Sequence, residues 1–193
     1  MTPLDAKKLR SLEGGPSFAL GDRVYRLSWD IAWLLLCRWT PPPLHGWRRF
    51  VLRLFGAQIA PTAHVYGSAR IWSPRLLRMA AHSCLARDAN CYNMAMVTLG
   101  KYVIVSQGAH LCGGTHDVDD PHFQLTIKPI TLMDSAWVAA EAFVGPGVTM
   151  AEGAVLGARG VTFKDIAAYE IHAGNPARLI RQRLRMEAKA TNG

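Results

Sequence analysis

Four side chains able to take a proton or hold a metal crowd one short stretch of the chain: His110, Cys112, His116 and His122. Two chemistries suit them. A neutral imidazole, with an intrinsic pKa near ~6.5, can take the proton of a hydroxyl as its oxygen makes a nucleophilic attack. Three imidazoles can instead meet one zinc ion. His116 stands between Thr115 and Asp117. Asp117 could orient the ring, but adjacent residues of an extended chain point to opposite sides, so that role needs a turn. The plain alternatives are an exposed histidine satisfying local hydrogen bonds and a carboxylate shaping a turn. Far downstream lie Lys164, Arg178 and Arg181. An arginine fork can give a phosphate two hydrogen bonds, although a solvated basic tail would read the same way. His45, His64, His82 and His172 read as structural or surface residues.

What must position these groups is a six-residue beat. Leu132, Val138, Val144, Met150 and Leu156 form one apolar column, and Ile130, Ala136, Ala142, Val148 and Ala154 form a second two positions earlier. Ala139, Gly145, Ala151 and Gly157 follow the first column. Neither a helix nor an alternating strand has this period; a chain wound into a triangular parallel prism does. Apolar side chains then point inward, and the small residue after each is expected to ease a tight corner. Upstream the beat runs through Ile59, Val65 and Ile71, is ragged between Arg75 and Val97, where Leu85 and Cys91 still keep it, and returns at Leu99, Val105 and Leu111. Residues 113–128 break it: Leu111 to Leu132 is 21 positions, three more than three hexapeptides, so a loop carrying His116 leaves the prism. Loops on rigid scaffolds are where function concentrates.

The rest frames the prism. Residues 1–19 read as an irregular arm. A helix is expected from Asp22 to Trp39, with Val24, Leu27, Ile31, Leu34 and Leu35 on one stripe, stopped by Thr40-Pro41-Pro42-Pro43. A second helix carries Trp47, Phe50, Val51 and Leu54 on one face and closes at Gly56. Three segments result: 1–57, arm and helical cap; 58–176, prism with loop 113–128; and 177–193, a basic tail expected as a short helix. The helices can cap the open prism end. Alternatively, Trp29, Trp33, Trp39 and Trp47, with Arg26, Arg38, Arg48, Arg49 and Arg53, can lie on an anionic membrane. The formal charge of +8 invites anionic lipid or a phosphate-bearing ligand; no nucleic-acid motif appears. Cys37, Cys84, Cys91 and Cys112 show no CxxC and no paired spacing, which suits a reducing compartment. MTPLDAKKLRSLEGG lacks the apolar core of a secretory signal, and the longest apolar run, Ile31 to Cys37, is far short of the ~18 residues of a span. The expectation is a cytoplasmic protein, at most resting on the inner face of the plasma membrane.

The segments PLHGWRRFVLRLFGAQI, VTLGKYVIVSQGAHLCGGTHD, KPITLMDSAWVAAEAFVGPGVTMAEGAVLGARGV and HAGNPARLI resemble the hexapeptide-repeat acyltransferase superfamily. Within it they are similar to the colanic acid biosynthesis acetyltransferases, relatives of the galactoside and maltose O-acetyltransferases. The resemblance implies a mainly β fold, a left-handed parallel β-helix, although crossovers are usually right-handed. It implies acetyl-CoA as donor, no metal, and a homotrimer with sites between subunits. The implied acceptor is a sugar hydroxyl in exopolysaccharide or lipid-linked glycan synthesis. His116 matches the family's catalytic base. Asn93, one coil earlier, falls near an asparagine that holds the acceptor, with Asn90 competing; Asp117 could orient imidazole or acceptor. Lys164, Arg178 and Arg181 match positions that meet the cofactor, and Ala140 and Ala158 positions whose backbone meets the pantetheine arm. Arg159 departs from the small serine common in relatives, and Phe163 from the threonine that precedes the lysine. Arg159 would add a phosphate contact or clash, and Phe163 removes a hydroxyl donor. Two rivals stand beside this reading. Carbonic anhydrases of the same prism bind zinc through histidines of neighbouring subunits, and a non-catalytic membrane-associated scaffold could use the prism alone.

Overall fold

The six-residue beat winds the chain into a parallel β-solenoid with three faces; the computed structural model describes residues 1–10 and 13–184. Gln58–Ile59, Leu77–Met79, Val97–Leu99, Ile130–Leu132 and Thr149–Met150 stack on the first face. His64–Val65, Cys84–Leu85, Ile104–Val105, Trp137–Val138, Val155–Leu156 and Glu170–Ala173 stack on the second. The third holds Arg70–Ile71, Asn90–Tyr92, His110–Cys112, Phe143–Val144 and Val161–Thr162. Both apolar columns are buried along the axis as one continuous core. Each fully buried aliphatic side chain contributes about 1.5–3 kcal/mol, so the repeated column is the main source of stability.

Two details differ from the sequence expectation. The ragged stretch is regular in space: early coils repeat every 20 residues, as in the registers Gln58↔Arg78 and Leu77↔Val97, because the corner from third to first face is longer there. The Leu111–Leu132 interval occupies that same single corner, since His110–Cys112 on the third face is followed directly by Ile130–Leu132 on the first. The excursion is therefore much longer than a three-residue slip, and it is ordered: Gly114–His116 pairs antiparallel with Leu125–Ile127 as a projecting arm. The small residue after each inward one also has a different role. The left-handed corner backbone comes three positions after the inward residue, at Tyr102 (φ 58°), Glu141 (φ 57°) and Arg159 (φ 56°), following Leu99, Val138 and Leu156. The small residues instead let coils stack closely: a Cβ on Gly145 would stand 2.4 Å from the Phe163 ring.

Among the described residues three α-helices precede the solenoid: α1 (Ala6–Leu9), α2 (Leu20–Leu36) and α3 (His45–Leu54). α2 and α3 cap its first coil, whose edge would otherwise leave carbonyls bare. Trp29 Nε1 donates to the Ile71 carbonyl (2.7 Å) and Trp33 Nε1 to that of Ala69 (3.1 Å). Arg49 donates to Ala63 O (2.7 Å), Arg53 to Ile59 O (2.6 Å) and Arg48 to Val65 O (2.6 Å). These three arginines therefore serve the edge and not an outward anionic surface. The expected apolar stripe of α2 faces away from the solenoid, and Trp29, Trp33 and Cys37 fill the core side. Among the described residues no helix is long and apolar enough to cross a membrane.

The basic tail is not helical where it is described. Arg178–Gln182 folds back antiparallel on Glu170–Ala173, because after the Pro176 turn the last parallel strand still offers a free edge. The remainder of the expected helix, from residue 185, lies outside the described residues.

Candidate active site

His116 sits on the projecting arm, paired opposite Leu125. Its Nδ1 lies 2.8 Å from the Phe123 carbonyl, and its ring stacks on that of Phe123, with centroids 4.4 Å apart and planes 10° from parallel. A carbonyl can only accept, so this contact puts the proton on Nδ1. Nε2 is then left with its lone pair, the tautomer a general base needs. Phe123, which the sequence reading passed over, orients the imidazole. Asp117 does not: its Oδ1 accepts the Asp119 N–H (3.1 Å), and its own N–H donates to Gln124 O (2.9 Å). That is the turn-forming alternative.

A cleft of about 340 Å³ holds His116 together with Phe18, Arg23, Arg26, Trp72 and Tyr92. Its wall comes from the N-terminal arm, which is pinned to the projecting arm. The Ala6 N–H donates to Gln124 Oε1 (2.7 Å), and Gln124 Nε2 donates to Leu4 O (3.1 Å). Phe18 packs with Met94 and Leu125 in a small apolar cluster beneath. Nothing periodic marks this arm in the sequence, so its part in the site was invisible there.

Asn93 is fully buried at the long corner one coil before the projecting arm. Its Nδ2 donates to Ser73 O (2.7 Å), and its Oδ1 accepts the Ser73 N–H (3.0 Å). Both halves of the amide join successive corners, and Asn93 does not line the His116 cleft. Its competitor Asn90 reaches His110, with Nδ2 3.3 Å from Nε2. Burial pushes the His110 pKa below the ordinary histidine value. His110 also meets Tyr92 and Phe143 edge-on. It is thus packed into the third face, apart from the exposed His116 and His122. Among the described residues no three His, Cys, Asp or Glu side chains converge on a point that could hold an ion. The buried thiols are not nucleophiles: burial raises the pKa of Cys37 to about 11 and that of Cys91 to about 12.

The other basic candidates divide between places. Lys164 and Arg178 line a recess of about 340 Å³ with Phe163, Asp165 and Ala177. Asp165 is engaged elsewhere, its Oδ1 accepting the Thr149 N–H (2.7 Å). Arg181 lies on the same final strand, outside this recess. Ala140 and Ala158 stack one coil apart at the corner between second and third faces, where the Arg159 N–H donates to Ala140 O (2.9 Å). Ala158 is exposed and Ala140 half-buried, so ligand backbone could approach both. Arg159 is held by Glu141, Nε to Oε2 2.6 Å, and Phe163 covers Gly145. Arg178 donates to Ala177 O (3.2 Å) and Arg181 to Gln182 O (3.1 Å), and both stay exposed beside the recess. Within one chain, however, the recess is not the His116 cleft.

No family model matches the chain. The colanic acid biosynthesis acetyltransferase WcaF of Escherichia coli K12 is 35% identical over 170 residues, covering 88% of this chain and 93% of that protein. The chain belongs to the hexapeptide-repeat acetyltransferases. Two solved members share the fold of this acetyltransferase. The maltose O-acetyltransferase of Clostridium difficile 630 superposes with a TM-score of 0.77 at 19% identity, over 86% of this chain and 90% of that one. A Vibrio cholerae hexapeptide-repeat acetyltransferase complexed with acetyl-CoA gives 0.77 at 18% identity, over 89% and 93%. As in any solenoid enzyme, the regular coils of this acetyltransferase are rigid platforms. The residues around the His116 cleft, Phe123, Arg23 and Arg26, sit on the projecting arm and the capping helix attached to them.

Proposed function

We propose that this acetyltransferase transfers the acetyl group of acetyl-CoA to a hydroxyl of a sugar acceptor in polysaccharide or lipid-linked glycan synthesis. His116 is the general base. The observation that carries this reading is the Nδ1 contact to Phe123 O, which leaves Nε2 free at the cleft. Nε2 takes the hydroxyl proton as the oxygen attacks the thioester carbon. The C–S bond breaks as the new ester forms, and the imidazolium returns its proton to the departing sulfur. Lys164, Arg178 and Arg181 would hold the phosphates, and Ala140 and Ala158 would let the pantetheine arm lie close. The recess and the His116 cleft are separate within one chain, which supports the reading that the site is completed between copies of a homotrimer, as in the family. Titration calorimetry with CoA tests the donor side: saturable binding is expected, weakened at least tenfold in a Lys164→Gln/Arg178→Gln double variant. No heat of binding to the wild type would overturn the assignment.

The outward face of the cap gives this reading a location. Leu27 (61% exposed), Leu35 (62%) and Trp39 (73%) lie there with Val24, Ile31 and Leu34. The Trp39 and Trp47 indole N–H groups donate to the Leu35 and Leu36 carbonyls, so the rings present carbon outward. With the exposed Arg23 and Arg38 nearby, this face suits an anionic bilayer surface. Wild-type protein should sediment with phosphatidylglycerol-containing vesicles, and Leu27→Asp/Ile31→Asp should stay in the supernatant. Equal sedimentation of the two, or a loss of self-association in the variant, would assign the face elsewhere.

A further inference from the structure

The cleft at His116 continues along the flank of α2. A second recess of about 500 Å³ shares the Trp72 and Tyr92 side chains with it as a common wall and adds Arg38 and Arg70 from the far side. Four arginines therefore line the two adjoining recesses against one carboxylate, Asp30. Among the described residues none of Arg23, Arg26, Arg38 and Arg70 forms an ion pair or a side-chain hydrogen bond. This contrasts with Arg48, Arg49 and Arg53 on the next helix, which all donate to carbonyls.

Arg26 is the informative member. Its guanidinium lies 4.4 Å from the Trp72 ring centroid and 5.5 Å from that of Phe18. Stacking of this kind fixes a long side chain before any ligand arrives. Its Nε is buried and has no hydrogen-bond partner. A buried charged donor without a partner is costly, and such groups are rare unless something else completes them. Asp30, one helical turn on, does not complete it: the pair is not within ion-pair distance. Arg23 sits three residues earlier on the same side of α2, so the two guanidinium groups can converge on one anion. A neutral sugar hydroxyl needs hydrogen-bonding amides and carboxylates. A phosphate needs forked cations, and the groove supplies those.

We infer that the acetyl acceptor carries a phosphate or diphosphate group, bound by Arg23 and Arg26 beside His116, with its remainder running past Trp72 and Tyr92 towards Arg70 and Arg38. This rests on the reading of the His116 cleft as the acceptor side, but its test does not need turnover. The phosphate could belong to a nucleotide-linked or a lipid-linked sugar. Titration calorimetry with inorganic diphosphate, on the full chain with and without saturating CoA, reads the site directly; CoA occupies the other phosphate-binding residues. One site should persist under CoA, weakened at least tenfold by Arg26→Gln and less by Arg26→Lys, which keeps charge and bulk if the glutamine variant unfolds. His116→Ala should retain it, so loss of catalysis and loss of this site are separable. Competition by UDP and by farnesyl diphosphate then separates the two sources, the stronger competitor naming the carrier. Absence of diphosphate binding under CoA, or wild-type affinity in an Arg23→Gln/Arg26→Gln double variant, would overturn the proposal.

Discussion

His116→Ala should lower kcat for acceptor-dependent CoA release by about 10²- to 10⁴-fold, the usual contribution of a positioned general base. CoA affinity should stay within about twofold, because the cofactor-side recess does not include His116. A fall in kcat without a change in donor binding is the signature of a group that acts only in the transition state. Phe123 supplies a finer test. Phe123→Leu keeps the accepting carbonyl and removes only the stacked ring, so a loss of about tenfold is expected, mostly in kcat. If His116→Ala turned over at the wild-type rate, the proposed mechanism would fail, and the arm would be only a wall of the cleft.

The column of inward side chains, Ile59 through Leu156, could be read directly because a solenoid repeats one local rule and every coil tests it again. That the beat breaks at 113–128, on the segment carrying His116, was legible too, but the length of the excursion was not. Three things were not. The corner residues in the left-handed region, such as Tyr102 and Arg159, carry no compositional mark, since stacked corners impose the backbone whatever the side chain. The α2 stripe has helical spacing, but spacing tells which residues share a face and not which way that face turns. Here the tryptophan indoles, by donating to edge carbonyls, turned it outward. Asn93 looked like a polar group waiting for a ligand, and only the register of successive corners shows Ser73 beside it. The tail misled because a basic amphipathic run favours a helix in isolation, whereas Glu170–Ala173 offered it a strand edge.

Arg48→Met should be the most destabilising single change in the cap, by about 3–5 kcal/mol, or a fall in Tm on the order of 10 °C. Arg48 is fully buried and, among the described residues, has no carboxylate partner. Its guanidinium is surrounded by neutral acceptors instead. It donates to Val65 O (2.6 Å), Thr40 Oγ1 (2.7 Å), Pro41 O (3.0 Å) and Pro42 O (2.6 Å). Desolvation pushes its pKa down, yet an arginine stays charged, so the buried charge is carried by these bonds. Methionine fills much of the volume but takes the charged donor from Thr40 Oγ1 and Pro42 O, each costing about 1–3 kcal/mol, while Pro41 O keeps the Leu44 N–H (3.1 Å) and Val65 O keeps the His45 ring nitrogen (2.9 Å). Arg48→Lys should recover less than half of the loss, because one ammonium cannot span acceptors on both sides. Arg49→Ala, which removes a single bond to Ala63 O, should cost about 1 kcal/mol. The order matters for function, since α2 carries Arg23 and Arg26 and its position depends on the turn that Arg48 holds to the first coil. Arg48→Met should therefore weaken diphosphate binding even at temperatures where the solenoid remains folded. A melting temperature within about 2 °C of wild type would show that Trp29, Trp33, Arg49 and Arg53 hold the cap without Arg48.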